Sequence, residues 1–343
     1  MKDVLVTGAA GFVGSHCLEY WLDKTDWRIS IIDSFRHKGT FSRLDAVPNL
    51  DLNRVKIFHH DLSAPIDRQL ENRLLDREVG VDGENYFDYI INIASDSAVE
   101  RSITDPGQCW KNNCDLMFNI LEFARKNKPS IFLHFSTDEV YGEAEPNQAH
   151  HEWDVIMPSN PYSASKAAQE ALAIAYWRTY DIPLILINVM NVIGERQDTE
   201  KFLPKLIYKI ATNQTMDIYG EPGKIGSRYY IHGKNIADAI NFLTHVRQQP
   251  PMYSDGNKRP DRYNVVGDLE MDNLQVAEFV AECMGKKLEY RLIPAEKARK
   301  GYDRRYALDG KKLHDLGWRH PVSTLESIKR IVDWTLKNPH WIL

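Results

Sequence analysis

The sequence has little of what marks a secreted, membrane-spanning or nucleic-acid-binding protein. Its 343 residues include four cysteines and no CxxC pair, so we predict neither a disulfide framework nor a metal site, and expect reduced thiols in the cytoplasm. No apolar run approaches the ~18 residues of a membrane helix, and no signal-peptide pattern precedes the first strand. A formal net charge of −5 gives no positive field for nucleic acid. We therefore expect a soluble intracellular protein.

Short apolar segments instead alternate with segments of helical spacing in the first half of the chain. This alternation predicts an α/β fold with a Rossmann-type, doubly wound parallel sheet, because parallel strands are joined by crossover helices. We assign 1–189 to this domain, with a returning segment near 227–247, and 190–343 to a smaller α/β substrate-binding domain. The predicted strands are 4–7, 28–32, 55–60, 89–93, 131–135 and 184–189, and the predicted long helices are 106–128 and 162–180.

A glycine-rich turn follows the first predicted strand. Gly8, Gly11 and Gly14 have the spacing GxxGxxG, with Phe12 and Val13 between the last two. Glycines let the backbone approach a pyrophosphate, and the helix that begins here supplies amide donors and a positive dipole. The spacing alone also fits a tight structural turn, so its meaning depends on the residues that follow.

Two aspartates end the next two predicted strands. Asp33 stands where a carboxylate accepts hydrogen bonds from the adenosine ribose hydroxyls and repels a 2′-phosphate, which favours NAD over NADP. Arg36 and Lys38 follow it and keep NADP open. Asp61 can bind the adenine amino group, or it can simply cap a loop or a helix.

A tyrosine and a lysine four residues apart begin a predicted helix. Tyr162 and Lys166 therefore share one helix face. A neighbouring ammonium favours the phenolate and is expected to lower the tyrosine pKa, which makes a general base for a hydroxyl that is being oxidised. Such a pair is common on amphipathic helices, but beside a dinucleotide fingerprint it predicts catalysis.

The triplet Thr137, Asp138 and Glu139 follows the predicted strand 131–135. Ligands of parallel sheets bind in the crevice outside the carboxyl ends of the strands. Adjacent acidic residues in a loop are often only solvated charge, but these lie where nicotinamide and substrate are expected to meet. Two neighbouring carboxylates also push their pKa values apart, so one can act as a base while the other stays protonated as an acid.

These motifs together resemble the nucleotide-sugar 4,6-dehydratases, typified by dTDP-glucose 4,6-dehydratase, among the extended short-chain dehydrogenases/reductases. The resemblance covers nearly the whole chain, and the Thr-Asp-Glu triplet is its most specific mark, since sibling epimerases and decarboxylases generally lack the acidic pair. The other matching segments are 94–103, Asn113, 136–142, 201–204, Arg228, 263–265, 303–307 and 316–318.

The resemblance implies an NAD-dependent cycle in three steps. Tyr162, aided by Lys166 and Thr137, removes the proton of the 4-hydroxyl while hydride leaves C4. Glu139 then takes the C5 proton as Asp138 protonates the departing C6 hydroxyl. Hydride returns to C6 and C5 is reprotonated, which gives a 4-keto-6-deoxy sugar. The resemblance adds Leu62, Ala94 and Asn113 to the cofactor-binding residues.

The residues implied for the nucleoside-diphosphate sugar carry over less directly. They are Ser97, Asn191, Lys201, Leu203, Arg228, Asn264, Arg299 and Tyr302. Arg228 is the strongest of them, because a guanidinium binds phosphate oxygens in a bidentate manner. The chain departs from the family pattern at 191–195, 232–235 and 299–302, which leaves the nucleotide base and the hexose open.

The resemblance also implies a homodimer formed by the helices 106–128 and 162–180 of two subunits. The spacing of their apolar residues fits either that interface or the core of one subunit. These residues are Phe118, Leu121, Ala168, Leu172 and Tyr176. A 4-epimerase, which does not need Asp138 and Glu139, is the alternative activity. A non-catalytic NAD-binding protein is a further alternative, although such proteins usually lose the tyrosine or the lysine.

Overall fold

A seven-stranded parallel sheet forms the centre of the molecule, in the computed structural model that describes residues 1–75, 87–246, 258–294, 297 and 300–342. The strand order is β11-β6-β5-β4-β1-β2-β3, and every neighbouring pair is parallel. This order confirms the predicted α/β class and doubly wound sheet. The strands are β1 Asp3–Thr7, β2 Arg28–Asp33, β3 Val55–His59, β4 Tyr89–Asn92, β5 Ile131–Thr137, β6 Leu184–Val189 and β11 Asp261–Val265.

Helices cover both faces of this sheet. Alternate residues of a strand point to opposite faces, so Val4 and Val6 pack with one helical layer and Leu5 packs with the other. The helices of this part are α1 Phe12–Lys24, α2 Phe41–Asp45, α3 Arg68–Leu74, α4 Val99–Thr104, α5 Pro106–Asn127, α6 Pro161–Tyr180 and α8 Gly233–Val246. Among the described residues, no helix combines the length and the hydropathy needed to cross a bilayer.

A second apolar core lies in the C-terminal part of the chain. It is centred on buried residues such as Ile207, Ile218 and Ile328, which belong to helices and strands outside the large sheet. Two three-stranded sheets contribute, in the orders β12-β10-β7 and β13-β8-β9. The elements are β7 Asn191–Ile193, α7 Phe202–Ala211, β8 Met216–Glu221, β9 Lys224–Ile225, β10 Ser227–His232, β12 Glu270–Asp272, α9 Asn273–Met284, β13 Tyr290–Ile293, α10 Lys311–Asp315 and α11 Thr324–Lys337.

The strand β11 joins the large sheet although our sequence boundary placed it in the second domain. All five of its residues are buried, including Arg262 and Asn264. Polar residues at these positions gave no sign of a central strand. Arg262 is accommodated because its guanidinium donates to Glu170 at 2.6 Å and to Asn188 at 2.9 Å. The returning segment therefore comprises α8, as expected near 227–247, and also β11.

Candidate active site

The glycine turn brings α1 close against β1 at the carboxyl end of the sheet. Gly8 has a positive φ of 75°, and a β-carbon there would lie 2.7 Å from Ala94 Cα. A β-carbon on Gly14 would lie 2.3 Å from the carbonyl oxygen of Gly8. Neither position accepts a side chain, so these glycines are required by the geometry. The first amides of α1 are thereby left open to the cleft above the sheet.

That cleft is open to solvent, and it encloses about 1220 Å³ when the open space at its mouth is included. Its walls come from the carboxyl ends of β1, β2, β4 and β5 and from the start of α6. Thirteen of the predicted site residues line it, namely Gly8, Gly11, Phe12, Val13, Gly14, Asp33, Asp61, Leu62, Ala94, Ser97, Tyr162, Lys166 and Lys201. Residues far apart in sequence thus meet at one site, and the glycine cradle with Asp33 fits the pyrophosphate and ribose of a dinucleotide.

The two predicted adenosine-binding aspartates differ in their surroundings. Asp33 is buried and accepts hydrogen bonds from the backbone N–H groups of Ala10 and Phe35, both at 3.0 Å. Burial raises the pKa of Asp33, although these hydrogen bonds oppose the shift. Asp61 pairs with Arg36 at 3.0 Å. Burial opposes its ionisation, but hydrogen bonds from Ser63 and the charge of Arg36 hold the pKa of Asp61 below its ordinary value.

The cations beside Asp33 are occupied by acidic partners. Arg36 is paired with Asp61, and Lys38 lies 3.6 Å from Asp198 and 3.2 Å from Glu200. A 2′-phosphate would have to compete with these carboxylates and also face Asp33. The local charges therefore favour NAD over NADP.

The helix α6 presents the tyrosine and lysine as the sequence predicts. Asn160 is its N-cap and Pro161 its first residue, so Tyr162 lies in the first turn and Lys166 one turn later. The Lys166 ammonium donates to the carbonyl of Phe135 at 2.8 Å and to Gln169 Oε1 at 2.6 Å. Burial lowers the pKa of Lys166 to about 7, although Glu170 opposes the shift.

The expected low pKa of Tyr162 is not found. Burial raises this pKa well above the ordinary value, and the charges of Glu139 and Asp138 add to the shift, whereas a hydrogen bond with Thr137 opposes it. Burial is the main cause and the two acidic side chains add to it, while the Lys166 ammonium is bonded to Phe135 and Gln169. The spacing of Tyr162 and Lys166 could not reveal these competing charges.

The acidic pair lies where β5 ends. Thr137 is the last residue of the strand, and a single 3-10 turn, Asp138–Tyr141, follows instead of the open loop that we expected. Asp138 is only 5% exposed, and its Oδ1 accepts from the Thr137 hydroxyl at 2.9 Å. Its Oδ2 is buried without a hydrogen-bond partner among the described residues. Glu139 is less buried, and its Oε2 accepts from Asn160 Nδ2 at 3.0 Å.

The surroundings of Asp138 and Glu139 suit the two acidic side chains to different roles. Burial, followed by the charge of Glu139, raises the pKa of Asp138 to about 7. Asp138 therefore holds its proton near neutral pH, as expected of the acid in an elimination. Glu139 adjoins it in the chain and is oriented by a hydrogen bond, so an acid and a base are available beside Tyr162.

Some predicted residues lie outside the lining of the cleft, within the part of the chain that the structure describes. Asn113 is fully buried beneath it and hydrogen-bonds Asp96 and Ser165. Leu203 packs in the C-terminal core. Asn264 is also fully buried, and its amide donates to the carbonyls of His150 and Asp309. Direct contact with a ligand is not apparent for these three side chains.

Arg228 is engaged with the protein rather than open to phosphate. Its guanidinium donates to the carbonyls of Ser227, Asp303 and Arg304, and it lies 4.5 Å from the ring centroid of Tyr306. These bonds fix the turn that carries Tyr302, which is half-buried. Asn191 begins β7 and is also half-buried. The remaining predicted substrate residue, Arg299, lies outside the described residues.

Several residues of the site were not predicted from the sequence. His37, Asn112 and Gln197 line the cleft without belonging to a motif that we recognised. Asn160 was missed too, although the sequence contained a signal for it. Asparagine followed by proline is a typical N-cap arrangement, so Asn160 could have been placed at the start of α6.

Comparisons with known proteins agree with this geometry. The model of the NAD dependent epimerase/dehydratase family matches residues 4–265. dTDP-glucose 4,6-dehydratase of Salmonella typhimurium is 32% identical, over 99% of this chain and 94% of its own length. The trifunctional UDP-glucose 4,6-dehydratase/UDP-4-keto-6-deoxy-D-glucose 3,5-epimerase/UDP-4-keto-L-rhamnose-reductase RHM2 of Arabidopsis thaliana is 31% identical over 99% of this chain. The chain spans only 48% of that plant protein's length.

A solved structure is similar over the same extent. DesIV, a dTDP-glucose 4,6-dehydratase from Streptomyces venezuelae crystallised with NAD and TYD, aligns with a TM-score of 0.82 at 28% identity. The alignment covers 99% of this chain and 98% of that one. Both the large sheet and the C-terminal part are therefore shared.

Proposed function

The chain belongs to the NAD-dependent epimerase/dehydratase family, and we propose that it is a 4,6-dehydratase that converts a nucleoside-diphosphate hexose to a 4-keto-6-deoxy sugar. The observation that carries this proposal is the pair Asp138 and Glu139 beside Tyr162. One acid is buried with a pKa raised to about 7, and the other is held by Asn160. An elimination needs one protonated acid and one base for C5, whereas oxidation at C4 alone needs only the base that Tyr162 provides.

NAD is the cofactor, and when bound it would supply the hydride acceptor and donor that the reaction needs. The chain would hold its pyrophosphate at the glycine turn and its adenosine ribose at Asp33. We assign further cofactor contacts to Phe12, Val13, Leu62 and Ala94, which line the same cleft. Asp61 stays a proposed adenine contact, and Asn113 supports the cleft from below through its buried hydrogen bonds.

Tyr162 is the proposed base for the 4-hydroxyl. Its raised pKa means that the phenol is protonated in the structure described here. A base at this position therefore requires that its proton be passed on while the sugar is being oxidised. Thr137 opposes the rise in the pKa of Tyr162, and Lys166 lies one helical turn away, so we propose that both assist that transfer.

Glu139 and Asp138 are the proposed base and acid of the elimination. Removal of the C5 proton by Glu139 leaves an electron pair that forms the C5–C6 double bond as the C6 hydroxyl departs. Asp138 gives its proton to that hydroxyl, so the leaving group is water. Its unpartnered Oδ2 is an available position for this proton.

The residues proposed to bind the nucleotide sugar lie in two parts of the molecule. Ser97 and Lys201 line the cleft, and half-buried Tyr302 and Asn191 lie in the C-terminal part. We propose that these residues contact the substrate. Arg228, Leu203 and Asn264 would act indirectly, since their side chains are buried in contacts with the protein itself. Arg299 remains a proposed contact from the sequence alone.

A homodimer in the cytoplasm is also proposed. Trp110 and Phe118 are both 49% exposed on α5, which packs along α6, so an apolar strip is left on the outside of this helix pair. In contrast, Leu121 and Tyr176 are buried in the subunit's own core. Phe118 is thus the better interface residue, and Ala168 and Leu172 are partly buried beside it.

The test of the activity is product analysis by mass spectrometry. The protein and NAD would be incubated separately with dTDP-, UDP-, CDP- and GDP-hexoses. We expect one substrate to lose the mass of one water molecule, which would establish elimination and identify the nucleotide. An isomer of unchanged mass, detected by NMR, would instead establish a 4-epimerase and contradict the proposal.

A further inference from the structure

Asn160 connects the start of α6 to the acidic pair. Its side-chain oxygen accepts from the backbone N–H of Ser163 at 3.0 Å, and its Nδ2 donates to Glu139 Oε2 at 3.0 Å. The backbone N–H of Asn160 donates in turn to Ser163 Oγ at 3.2 Å, which completes a capping box. One side chain therefore caps the helix that carries Tyr162 and also holds the carboxylate of Glu139.

The orientation of this amide follows from its partners. Ser163 N–H can only donate, so the atom that faces it must be the amide oxygen. The amide nitrogen is consequently directed at Glu139, and a carboxylate oxygen is the acceptor that it requires. Both contacts require the same placement of the amide oxygen and nitrogen of Asn160. The hydrogen bond to Glu139 is therefore consistent with the contact to Ser163.

The surroundings keep Asn160 in place. It is only 6% exposed. Ser159 beside it donates to Asp303 Oδ2 at 2.5 Å, and a β-carbon on Gly301 would lie 2.5 Å from the carbonyl oxygen of Ser159. The segment is thus enclosed by the turn at 301–303. A buried, enclosed donor holds its acceptor more firmly than a solvent-exposed one, because water cannot replace it.

We propose that Asn160 is a positioning residue that aims the Glu139 carboxylate at C5 of the sugar and fixes its position relative to Tyr162. This inference rests on the proposed dehydratase function. The oxidation at C4 and the proton removal at C5 happen on adjacent carbons, so the two bases must keep a constant separation. A bond from the N-cap of α6 to Glu139 provides that constraint, and a misplacement of about 1 Å can cost a hundredfold in rate.

The test compares two steps of one reaction in Asn160→Asp. Aspartate is as good an N-cap as asparagine and has nearly the same shape, so the helix keeps its cap. The variant loses the N–H donor to Glu139. The carboxylate of Glu139 then faces the carboxylate introduced at this position. We expect C4 oxidation, followed as the transient absorbance of NADH, to stay within about threefold, while exchange of the C5 hydrogen with solvent slows about 10- to 100-fold.

Two further variants separate positioning from helix stability. Ser163→Ala removes the other half of the capping box and leaves the bond to Glu139, so it should lower the Tm without slowing C5 exchange more than about twofold. Asn160→Ser keeps a capping oxygen without adding charge, and should slow C5 exchange as Asn160→Asp does.

Normal C5 exchange in both Asn160 variants would overturn the inference. Equal slowing in Ser163→Ala would do so as well, because it would assign the effect to the helix end. A failure of the proposed function has a different signature: the unchanged protein would then show no C5 exchange with any nucleotide sugar, whether or not an NADH transient appears, and the inference would fall with it.

Discussion

Two carboxyl groups in this protein are buried to nearly the same extent, but their pKa values are shifted in opposite directions. Asp138 is 5% exposed at the end of β5, and Glu195 is 4% exposed beside His16 of α1. Burial and the charge of Glu139 raise the pKa of Asp138 to about 7. Burial opposes the ionisation of Glu195 too, but hydrogen bonds from His16 and His232 outweigh it and hold the pKa of Glu195 far below its ordinary value.

The difference lies in the partners of each carboxyl group. Glu195 Oε2 lies 3.2 Å from His16 Nε2 and 3.0 Å from His232 Nε2, and its Oε1 accepts from Arg330 at 2.7 Å. Asp138 accepts from Thr137 on one oxygen, and its other oxygen has no partner among the described residues. Burial alone therefore does not decide the role of an acid. A satisfied carboxylate stabilises the fold, and an unsatisfied one is available for chemistry.

The Glu195 cluster, His16, Glu195, His232 and Arg330, also illustrates why distance alone does not make a metal site. The ligand atoms of the two histidines and the glutamate lie within 4.8 Å of one another. However, the backbone N–H of Lys234 donates to His232 Nδ1 at 3.0 Å, so the ring hydrogen is on Nε2 and points at Glu195. The cluster ties α1, β10 and α11 together by hydrogen bonds, and its geometry is that of a structural junction.

Asp138→Asn should give the largest effect. The variant keeps the size of the side chain but cannot give a proton to the C6 hydroxyl, so we expect turnover to fall about 10²- to 10⁴-fold. The NADH transient should persist because C4 oxidation does not use Asp138. The unfolding midpoint should be at least that of the unchanged protein, since a poorly partnered acid has been replaced. Turnover within threefold of normal would remove Asp138 from the mechanism.

Glu195→Gln should lower the stability of the protein and leave its turnover nearly unchanged. Loss of the charge weakens the bonds to both histidines and Arg330, and we expect the free energy of unfolding to fall by roughly 3 kcal/mol. Turnover per folded molecule should stay within about threefold, because the cluster lines no part of the catalytic cleft among the described residues. Denaturant unfolding at neutral pH measures the first quantity. A large loss of turnover at unchanged stability would reverse our assignment of the two acids.

This contrast also separates what sequence can predict from what it cannot. The glycine turn and the pair Tyr162 and Lys166 were predicted in place, because local spacing determines them. Six of the seven strands of the large sheet followed from the alternation of apolar segments, and β11 did not. The Glu195 cluster could not be found, since His16, Glu195 and His232 meet only in the folded chain and their spacing forms no motif.

The hydrogen-bond and ion-pair partners of buried polar groups also explain the other differences between the sequence-based predictions and the structure. Arg228 was expected at phosphate, but three backbone carbonyls occupy its guanidinium. β11 fell within the segment 190–343 that we assigned to the second domain, and only the fold shows that Glu170 pairs with Arg262 within this buried strand. Sequence reveals which groups are present, while the partner of a buried polar group depends on tertiary structure. The positions of Asp138 and Glu139 were predictable for the opposite reason, because they are adjacent.

The pH dependence of the elimination should show the raised pKa of Asp138 directly. The acid must be protonated to act, so the rate of water loss should be constant at acidic pH and decline above about pH 7. The decline approaches tenfold per pH unit. Single-turnover measurement of C6–O cleavage would record it. The residual rate of Asp138→Asn should not show this inflection, and a shared inflection would assign it to another group.

The smallest effect, and the sharpest comparison, is the pH dependence of stability in the two variants. Glu195 has a folded pKa below its ordinary 4.5, so its contribution is complete above pH 4.5 and declines as the pH falls. Asp138 has a folded pKa of about 7 against 3.8, so its presence destabilises the fold progressively as the pH rises between those values. Urea unfolding should therefore show the unchanged protein losing to Asp138→Asn as the pH rises from 4 to 7, and losing its advantage over Glu195→Gln only as the pH falls below about 4.5, each by at most about 1.4 kcal/mol per pH unit. Parallel curves for both variants would mean that the two carboxyl groups do not differ in protonation.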